Sequence, residues 1–456
     1  MSLQFKYACS VEHNRENIFF NDKFIEDLTK IFNTEPIDMI LFINILKRLD
    51  SSELINFLID NKKSIMARKI WFMYETFIEE LKINSIHDEL NYETILNDEL
   101  QVTLKTTSFR SDRHKIINNM ISSGSLYICI ERTEFIKEQE IGLEINPTAN
   151  NNYSNDHINE YIYKKEMLFS HLIEKEKVKN SNFNQMEYLK CFQLDIKHLV
   201  DAQNQIVDLE FKSKKWRDRQ IYIGNTTQSI NYKFTESYDY ICPKPEDVES
   251  LMDDFFSLNK KLEVSNLNII IQATILSFVF NYIHPFDDGN GRLSRFLVNW
   301  LLFCKKNHVY PISAVIFDEI SEYYTILNEF SISIHPFIKF NKNEDGSIDV
   351  INHTVNLYQL FNLTKQTEYL FRIFNKATKY RYIEYQSLSI HDELNKNFPN
   401  IDIKYIKLLI LNGKIGAKKK KKCSSNLDEL TFYFERMIKS KLDDQFCVVI
   451  KKMNKV

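Results

Sequence analysis

The sequence predicts a mainly α-helical protein with short β-hairpins, and three features lead to this fold class. Apolar residues recur at helical spacing near the start of the chain, at Phe24, Ile25, Leu28, Ile31 and Phe32. The same spacing forms a second stripe at Leu293, Phe296, Leu297, Trp300, Leu301 and Cys304. Residues three and four positions apart share one face of a helix, so both segments should be helices that bury that face. Two segments rich in aromatic and β-branched residues surround glycines and predict the hairpins.

The composition restricts the class of protein. The chain has 456 residues, 44% of them hydrophobic, which predicts about two or three domains with sizeable cores. A formal net charge of -3 predicts no general attraction to nucleic acid or to an anionic membrane. The seven cysteines contain no C-x-x-C pair, so we expect thiols in a reducing compartment. The first residues lack a signal-peptide pattern and the longest apolar run is shorter than the ~20 residues of a membrane span, so we expect a cytoplasmic protein without a membrane partner.

The order of the predicted elements divides the chain into three parts. We expect a helical N-terminal extension over residues 1–60, a central domain over residues 61–365, and a helical C-terminal domain over residues 366–456, for which a winged-helix-like fold is one option. The last part contains five consecutive lysines, Lys418–Lys422. Such a run is usually a solvated loop, although five lysines can also contact the phosphates of nucleic acid.

The elements of the central domain follow from local signals. The segment 219–245 predicts a hairpin near Ile221–Phe234, and Pro245 with the acids after it predicts the start of a helix. A second hairpin is expected over residues 337–354, with its turn at Asp345 and Gly346. The apolar run IIIQATILSFVFNYI predicts a helix buried on nearly all sides, with Ser265 as its N-cap. His284 should end this helix, because a residue before proline avoids helical geometry.

The stretch NYIHPFDDGNGRLSR, residues 281–295, concentrates chemistry at the turn between this helix and the next one. Backbone N–H groups in a glycine-containing turn at a helix N-terminus form an anion-binding site. Arg292 and Arg295 add donors along the same face, and Asp288 is a hard oxygen ligand of the kind that Mg²⁺ takes beside phosphates. His284 can accept a proton near neutral pH. Phe286 should be a core residue that anchors the turn.

The motif His284 to Arg295 resembles the signature of the Fic (filamentation-induced-by-cAMP) family, H-P-F-x-[D/E]-G-N-G-R-x-x-R, and matches it at every specified position. Weaker similarities extend over residues 60–365, for example WFMYETFIEEL upstream and YPISAVIF downstream. The resemblance implies a Fic-type helical bundle with a β-hairpin flap for the central domain. It also implies a protein adenylyltransferase, which transfers AMP from ATP to a Ser, Thr or Tyr hydroxyl of a target protein.

The resemblance also implies a role for each residue of the motif. His284 would be the catalytic base, and Asp288 would hold Mg²⁺ or Mn²⁺ between the α- and β-phosphates of ATP. Gly289, Asn290 and Gly291 would cradle the phosphates, with Asn290 at the α-phosphate. Arg292 would bind the β-phosphate and Arg295 the γ-phosphate. Ile223 and Gly224 would lie near the flap, which aligns an extended segment of the target by strand addition.

Many members of this family carry an inhibitory helix with the pattern [S/T]-x-x-x-E-[G/N], whose glutamate pairs with the second arginine of the motif. Residues Thr76 to Glu80 match the first five positions, but Leu81 stands where glycine or asparagine is usual. We therefore expect Glu80 to be either the inhibitory glutamate, paired with Arg295, or an exposed acid on a helix.

Three alternatives to AMP transfer remain open at this point. A Fic variant could remove AMP with the same residues, or transfer another nucleotide or phosphate-containing group. A third reading is a regulator that binds nucleic acid through its C-terminal part. Phosphorylating relatives typically have a lysine where Gly291 stands, which argues against that branch. The sequence leaves the oligomeric state open, so that inhibition could also come from another subunit.

Overall fold

The structure, a computed structural model, describes residues 3–4, 21–85, 89–142, 155–176, 185–224, 226–228 and 234–395. Residues 396–456, including Lys418–Lys422, lie outside the described residues. The described part of the C-terminal segment is one long helix, which runs across the expected boundary at residue 365.

Within the described residues, the N-terminal part contains four helices, and a polar residue directly precedes each of them. They are α1 (Asp22–Thr34), α2 (Met39–Leu46), α3 (Ser51–Asn61) and α4 (Ile65–Phe77). The side chains of Asn21, Asp38 and Asp50 accept hydrogen bonds from the first turns of α1, α2 and α3, which satisfies amides that have no partner within the helix. Their apolar faces share a hydrophobic core that includes the fully buried Trp71.

Two small three-stranded sheets join the N-terminal helices to the central part. The first has the order β1-β3-β2 and consists of β1 (Glu93–Thr94), β2 (Phe109–Ser111) and β3 (Ile116–Asn118). The second has the order β12-β5-β4 and consists of β4 (Ile121–Ser123), β5 (Leu126–Cys129) and β12 (Leu360–Asn362). Strands β5 and β12 pair in parallel. They lie more than two hundred residues apart in the chain, so this sheet links distant segments.

The central part is a helical bundle around its own hydrophobic core. Its helices are α5 (Glu134–Gly142), α6 (Asn155–Ile173), α7 (Gln185–Cys191), α8 (Ile196–Ile206), α9 (Pro245–Glu263), α10 (Ile269–Ile283), α11 (Asn290–Lys306), α12 (Ile312–Asp318), α13 (Ile320–Ile334) and α14 (Thr364–Asn395). Short 3₁₀ turns lie at Leu209–Phe211, His335–Phe337 and Val355–Tyr358. The predicted mainly helical fold is therefore confirmed.

Helix α10 lies at the centre of the bundle and packs against α9, α11 and α14. Every residue from Ile270 to Ile283 is buried, as the apolar run predicted. The predicted N-cap is wrong: Asn268, rather than Ser265, accepts a hydrogen bond from the amide of Ile270. Ser265 instead donates to the carbonyl oxygen of Leu262 at the end of α9.

Short antiparallel strand pairs lie beside the bundle. Two of them, β6 (Tyr222–Ile223) with β9 (Tyr240–Ile241) and β7 (Thr226–Gln228) with β8 (Phe234–Glu236), form the ribbon predicted after residue 219. The other pair, β10 (Phe340–Lys342) with β11 (Ile348–Val350), is the predicted second hairpin. Gly346 has φ +85° at its turn. In the described part of the chain, no helix is both long and apolar enough to cross a membrane.

Candidate active site

The turn between α10 and α11 places His284 in a backbone conformation that is rare for residues with a side chain. His284 follows the last residue of α10 and has φ +53° and ψ +59°, in the left-handed region. Its amide still donates to the carbonyl of Phe280, so the residue ends the helix and turns the chain away from the helix axis at the same time. This conformation costs about 1–2 kcal/mol for a residue other than glycine, which the surrounding contacts must offset.

The hydrogen bond of the imidazole determines which ring nitrogen can act as a base. His284 Nδ1 lies 3.0 Å from the carbonyl oxygen of Asn281. A carbonyl oxygen only accepts hydrogen bonds, so Nδ1 must carry the hydrogen and Nε2 the lone pair of the neutral ring. The imidazole therefore has the tautomer that a proton acceptor at Nε2 requires.

The surroundings of His284 keep its ring neutral. The pKa of the imidazole is lowered to about 4: burial is the main cause and the positive charge of Arg217 adds to it, while the bond to Asn281 and the carboxylates of Glu174 and Asp288 act in the opposite direction. The ordinary pKa of histidine is about 6.5. Because the pKa of His284 lies well below 7, its ring is unprotonated at neutral pH.

Asn290 supports the turn from inside. Its side-chain oxygen accepts from the amide of Phe286 at 3.0 Å, and its side-chain nitrogen donates to the carbonyl of Phe286 at 2.7 Å. Phe286 itself is fully buried, as predicted. Because the carboxamide of Asn290 is used within the turn, the group that Asn290 offers to an anion is its backbone N–H, at the first position of α11.

The two glycines of the motif meet different local demands. Gly289 has φ +89°, and a Cβ there would lie 2.9 Å from a methyl carbon of Val207. Gly291 has an ordinary helical backbone, but a Cβ there would lie 2.5 Å from a carboxylate oxygen of Glu174. Gly289 is therefore needed for the backbone conformation, and Gly291 for the close approach of an oxygen to the first turn of α11.

Both arginines of the motif are buried, and each is paired with a carboxylate from the end of α6. Arg295 donates to Oε1 of Glu174 at 2.7 Å and to the carbonyl oxygen of Ser170 at 2.9 Å. Arg292 donates to Glu176, to the carbonyl oxygen of Ile206 at 2.6 Å and to Asp288 at 2.8 Å. The two cations that the motif offers to phosphates are therefore neutralised by acids of the chain itself.

The structure corrects the expected partner of Arg295. Glu80 is 83% exposed and lies 3.9 Å from Arg113, while Glu174 is the carboxylate bound to Arg295. The physical reason lies in the helix ends. Helix α4 ends at Phe77, so Glu80 lies beyond it on the N-terminal part, whereas α6 packs against α11 and its end faces the motif.

A matching signal for Glu174 exists in the sequence. Ser170 to Glu174 has the same S-x-x-x-E spacing as the inhibitory pattern, with Lys175 in the sixth position. The amides of Lys175 and Glu176 donate to the carbonyls of Leu172 and His171, which is the arrangement of a Schellman motif with Glu174 as the C-cap. Lys175 occupies the left-handed position that follows, with φ +60°. Glycine and asparagine adopt this conformation more easily, which explains why the pattern usually ends in one of them.

The residues at the turn fit a magnesium ion bound together with phosphates. The described residues contain no group of three or more His, Cys, Asp or Glu that could hold a metal on its own. Mg²⁺ is usually bound through one or two carboxylates plus substrate phosphates, so a single carboxylate beside an anion site suffices. Asp288 is such a carboxylate, and its side chain also accepts from the amide of Gly289 at 2.6 Å.

The residues expected near the flap lie at one edge of the ribbon. Ile223 pairs with Tyr240 and is 46% exposed, so it presents an apolar side chain at the surface. Gly224 follows it, and a Cβ there would lie 1.8 Å from the carbonyl oxygen of Ser237. Tyr222, in the same strand as Ile223, connects the ribbon to the second hairpin: its hydroxyl donates a hydrogen bond to the carbonyl oxygen of Gly346.

Arg217 is a site residue that the sequence patterns do not single out. It is buried, and its Nε donates to the carbonyl oxygen of His284 at 2.8 Å. Local periodicity cannot reveal this contact, because 67 residues separate the two partners.

Comparisons with known proteins agree with the site. A family model described as Fic/DOC family matches residues 193–302. A protein of Nematostella vectensis named "Protein adenylyltransferase Fic" is 33% identical over 135 residues, which cover 28% of this chain and 30% of that relative. The protein of the same name from Drosophila erecta is 31% identical over 147 residues, 32% of this chain and 25% of the relative. The chain thus spans less than a third of the length of these relatives.

Solved structures of low similarity were also found. A Fic family protein from Desulfovibrio desulfuricans G20 is 17% identical, with a TM-score of 0.31, over 52% of this chain and 66% of that one. A Fic domain containing signaling protein from Bacteroides thetaiotaomicron VPI-5482 is 20% identical, with a TM-score of 0.28, over 50% of this chain and 85% of that one.

Two of the left-handed glycines, Gly289 and Gly346, allow a matched test of the turn. Gly289→Ala should lower the stability of the protein by more than Gly346→Ala, because both add left-handed strain of about 1–2 kcal/mol but only Gly289→Ala adds a clash, of about 1–3 kcal/mol. A Cβ at Gly346 would meet nothing within 4 Å. Thermal unfolding of both variants measures the difference. Equal losses of Tm would contradict the close packing of the turn against Val207.

Proposed function

This chain belongs to the Fic/DOC family, and we propose that it is a protein adenylyltransferase, which transfers AMP from ATP to a Ser, Thr or Tyr hydroxyl of a target protein. One observation carries the proposal. The neutral His284 presents the lone pair of Nε2 at a turn that ends in a helix N-terminus, beside two buried arginines. The relatives named protein adenylyltransferase add support for this reaction over other chemistry.

The proposed reaction is an in-line displacement at the α-phosphorus of ATP. The hydroxyl oxygen of the target forms a bond to the α-phosphorus, the bond from this phosphorus to the bridging oxygen of the β-phosphate breaks, and pyrophosphate leaves. The proton of the hydroxyl passes to Nε2 of His284. Phosphoryl chemistry of this kind depends mainly on positioning and on stabilisation of charge, which the turn and the arginines would supply.

The phosphates would bind at the start of α11. The amides of Asn290 and Gly291 have no acceptors within the helix, and the helix dipole favours an anion there. Arg292 and Arg295 would then donate to the β- and γ-phosphates. When bound, Mg²⁺ or Mn²⁺ at Asp288 would neutralise part of the charge on the α- and β-phosphates.

The target would approach from the side of the ribbon. Ile223 and Gly224 lie at an edge where an extended segment could add a strand, and Ile223 offers an exposed apolar contact. Strand addition uses the backbone of the target, so a hydroxyl residue in an extended segment is the class of substrate that fits.

Glu174 and Glu176 would inhibit the enzyme in the absence of an activating signal. Their carboxylates occupy the donors of Arg295 and Arg292 that phosphates would need. The γ-phosphate could bind Arg295 only after Glu174 has moved away. The contacts of Glu174 and Glu176 support autoinhibition at the end of α6 rather than at Glu80. Removal of AMP by the same residues is the second candidate reaction, since the same proton acceptor and phosphate site would serve it.

Labelled nucleotides test the proposed reaction. With α-labelled ATP, Mg²⁺ and a cell lysate, the protein should transfer label to another protein, and His284→Ala should abolish the transfer, because the proton acceptor is lost. Label that arrives only from γ-labelled ATP would contradict AMP transfer and would indicate a kinase. If the wild-type protein is inhibited, the same assay with Glu174→Gly supplies the active form.

The location of the inhibitory carboxylate can be tested with two equivalent substitutions. Glu174→Gly should raise AMP transfer by about 10-fold to 100-fold, because a hydrogen bond to a charged group contributes about 1.5–3 kcal/mol. Glu80→Gly, a matched control at the exposed glutamate, should leave the rate unchanged. A rise in rate for Glu80→Gly but not for Glu174→Gly would overturn the assignment.

The second carboxylate should act on nucleotide affinity in its own right. Glu176→Gln should strengthen ATP binding, because Arg292 loses a competing anion, and the variant with both Glu174→Gly and Glu176→Gln should bind ATP more tightly than either single variant. Isothermal titration of ATP into all four proteins measures this. If Glu176→Gln adds nothing to Glu174→Gly, the pair between Glu176 and Arg292 does not oppose the nucleotide.

A further inference from the structure

Arg217 is a buried cation that holds the turn of His284 through backbone carbonyls. Each of its three side-chain nitrogens donates one hydrogen bond: Nε to the carbonyl oxygen of His284 at 2.8 Å, Nη1 to that of Arg219 at 2.9 Å, and Nη2 to that of Pro243 at 2.7 Å. Its backbone amide donates to the carbonyl of Pro285 at 2.9 Å. One residue thus satisfies two consecutive carbonyls of the turn, at the beginning of the motif.

The guanidinium has no carboxylate partner within ion-pair distance among the residues that the structure describes. The neighbouring acid, Asp287, is bound instead to Arg219, at 2.9 Å. A buried cation without an anion loses several kcal/mol of hydration free energy, which carbonyl oxygens return only in part. A buried arginine of this kind contributes little to the free energy of unfolding. Compared with an apolar residue of the same volume, Arg217 therefore differs mainly in the hydrogen bonds that it donates and in its charge.

The contacts of Arg217 connect three elements that must be aligned at the site. Pro243 lies just before α9, Arg219 leads into the ribbon, and His284 ends α10. The left-handed conformation of His284 directs its carbonyl away from the helix ladder, and the Nε of Arg217 is the donor that receives it. Without this donor, the carbonyl would be left without a partner in a buried place and the turn would relax.

We propose that Arg217 is a positioning residue for AMP transfer, which fixes the turn so that Nε2 of His284 faces the incoming hydroxyl. The proposal rests on the proposed function of His284. Arg217 touches neither the motif arginines nor Asp288 in the described structure, so its effect should fall on the chemical step and not on ATP binding.

The positive charge of Arg217 also affects the pKa of His284, in a defined direction. The groups that face the imidazole are the carboxylates of Glu174 and Asp288, the carbonyl of Asn281, the ring of Tyr240 from the ribbon, and the guanidinium of Arg217. The guanidinium lowers the pKa of the imidazole, in addition to the larger effect of burial. Removal of this charge should therefore raise the pKa of His284 from about 4 towards its ordinary value near 6.5.

The test compares three substitutions in the full chain carrying Glu174→Gly. Arg217→Met removes the charge and the donors, Arg217→Lys keeps the charge but cannot bridge three carbonyls, and Arg219→Met is the matched control at the exposed neighbour. For Arg217→Met we expect kcat to fall by about 100-fold, because small displacements of a reacting group cost this much, with KM for ATP unchanged. The acidic limb of its pH–rate profile should move to higher pH.

Arg217→Lys should lower kcat as well but leave the acidic limb in place, and Arg219→Met should change neither quantity. The proposal is overturned if kcat of Arg217→Met stays within about threefold of the parent, or if its loss appears as weaker ATP binding. If Arg217→Met fails to fold, the lysine variant alone decides, since only a positioning role predicts a lower kcat with an unchanged acidic limb.

A titration of His284 by NMR, with ¹⁵N-labelled histidine and His284→Ala for assignment, separates this proposal from the proposed function. It needs no activity. A midpoint that rises in Arg217→Met, together with loss of the Nδ1–H tautomer, supports the role of Arg217 even if the parent transfers no AMP. An unchanged midpoint and tautomer overturn it even if the parent is active.

Discussion

The site depends on one backbone constraint: the chain must reverse its direction between α10 and α11, two helices that are held in place by the core. Helix α10 is buried on every side, and α11 carries buried residues on both its apolar stripe and its arginine face. The few residues between them must therefore join fixed ends. They do so with two left-handed positions, at His284 and Gly289. Because the ends are held by the core, the strain at His284 persists, and the ring it carries has a defined place relative to the first amides of α11.

The electrostatics of the site follow from the burial of its cations. Arg292 and Arg295 are almost completely removed from water, and a buried arginine without an anion is costly. Glu174 and Glu176 provide these anions, from a segment that is partly exposed. A nucleotide would bring phosphates that satisfy the same donors. Under the proposed function, an internal carboxylate would therefore compete with a phosphate of the nucleotide for these buried arginines.

The parts of the site that are local in sequence could be predicted from it, and the parts that depend on distant partners could not. The end of α10, the stripe of α11 and the burial of Phe286 follow from spacing and from Pro285. Ser265 is not the cap because the helix begins only at Ile269, where Asn268 directly before it accepts from the amide of Ile270. Glu80 and Glu174 have the same S/T-x-x-x-E spacing, and only packing brings one of them to Arg295. Arg217 resembles the exposed lysines before it until the fold buries it.

The end of α6 explains how two acids can reach two arginines. Glu174 is the C-cap and Glu176 the second residue after it, so a straight helix would point them to different sides. The left-handed backbone of Lys175 reverses the direction of the chain between them. Glu176 then lies near His171, one turn back, and contacts Arg292 while Glu174 contacts Arg295. The strained lysine is thus the joint on which both pairs depend. The left-handed conformation of Lys175 costs about 1–2 kcal/mol, which offsets part of the free energy that the two ion pairs contribute. Under the proposed function, this cost would make it easier for a triphosphate to displace the two carboxylates.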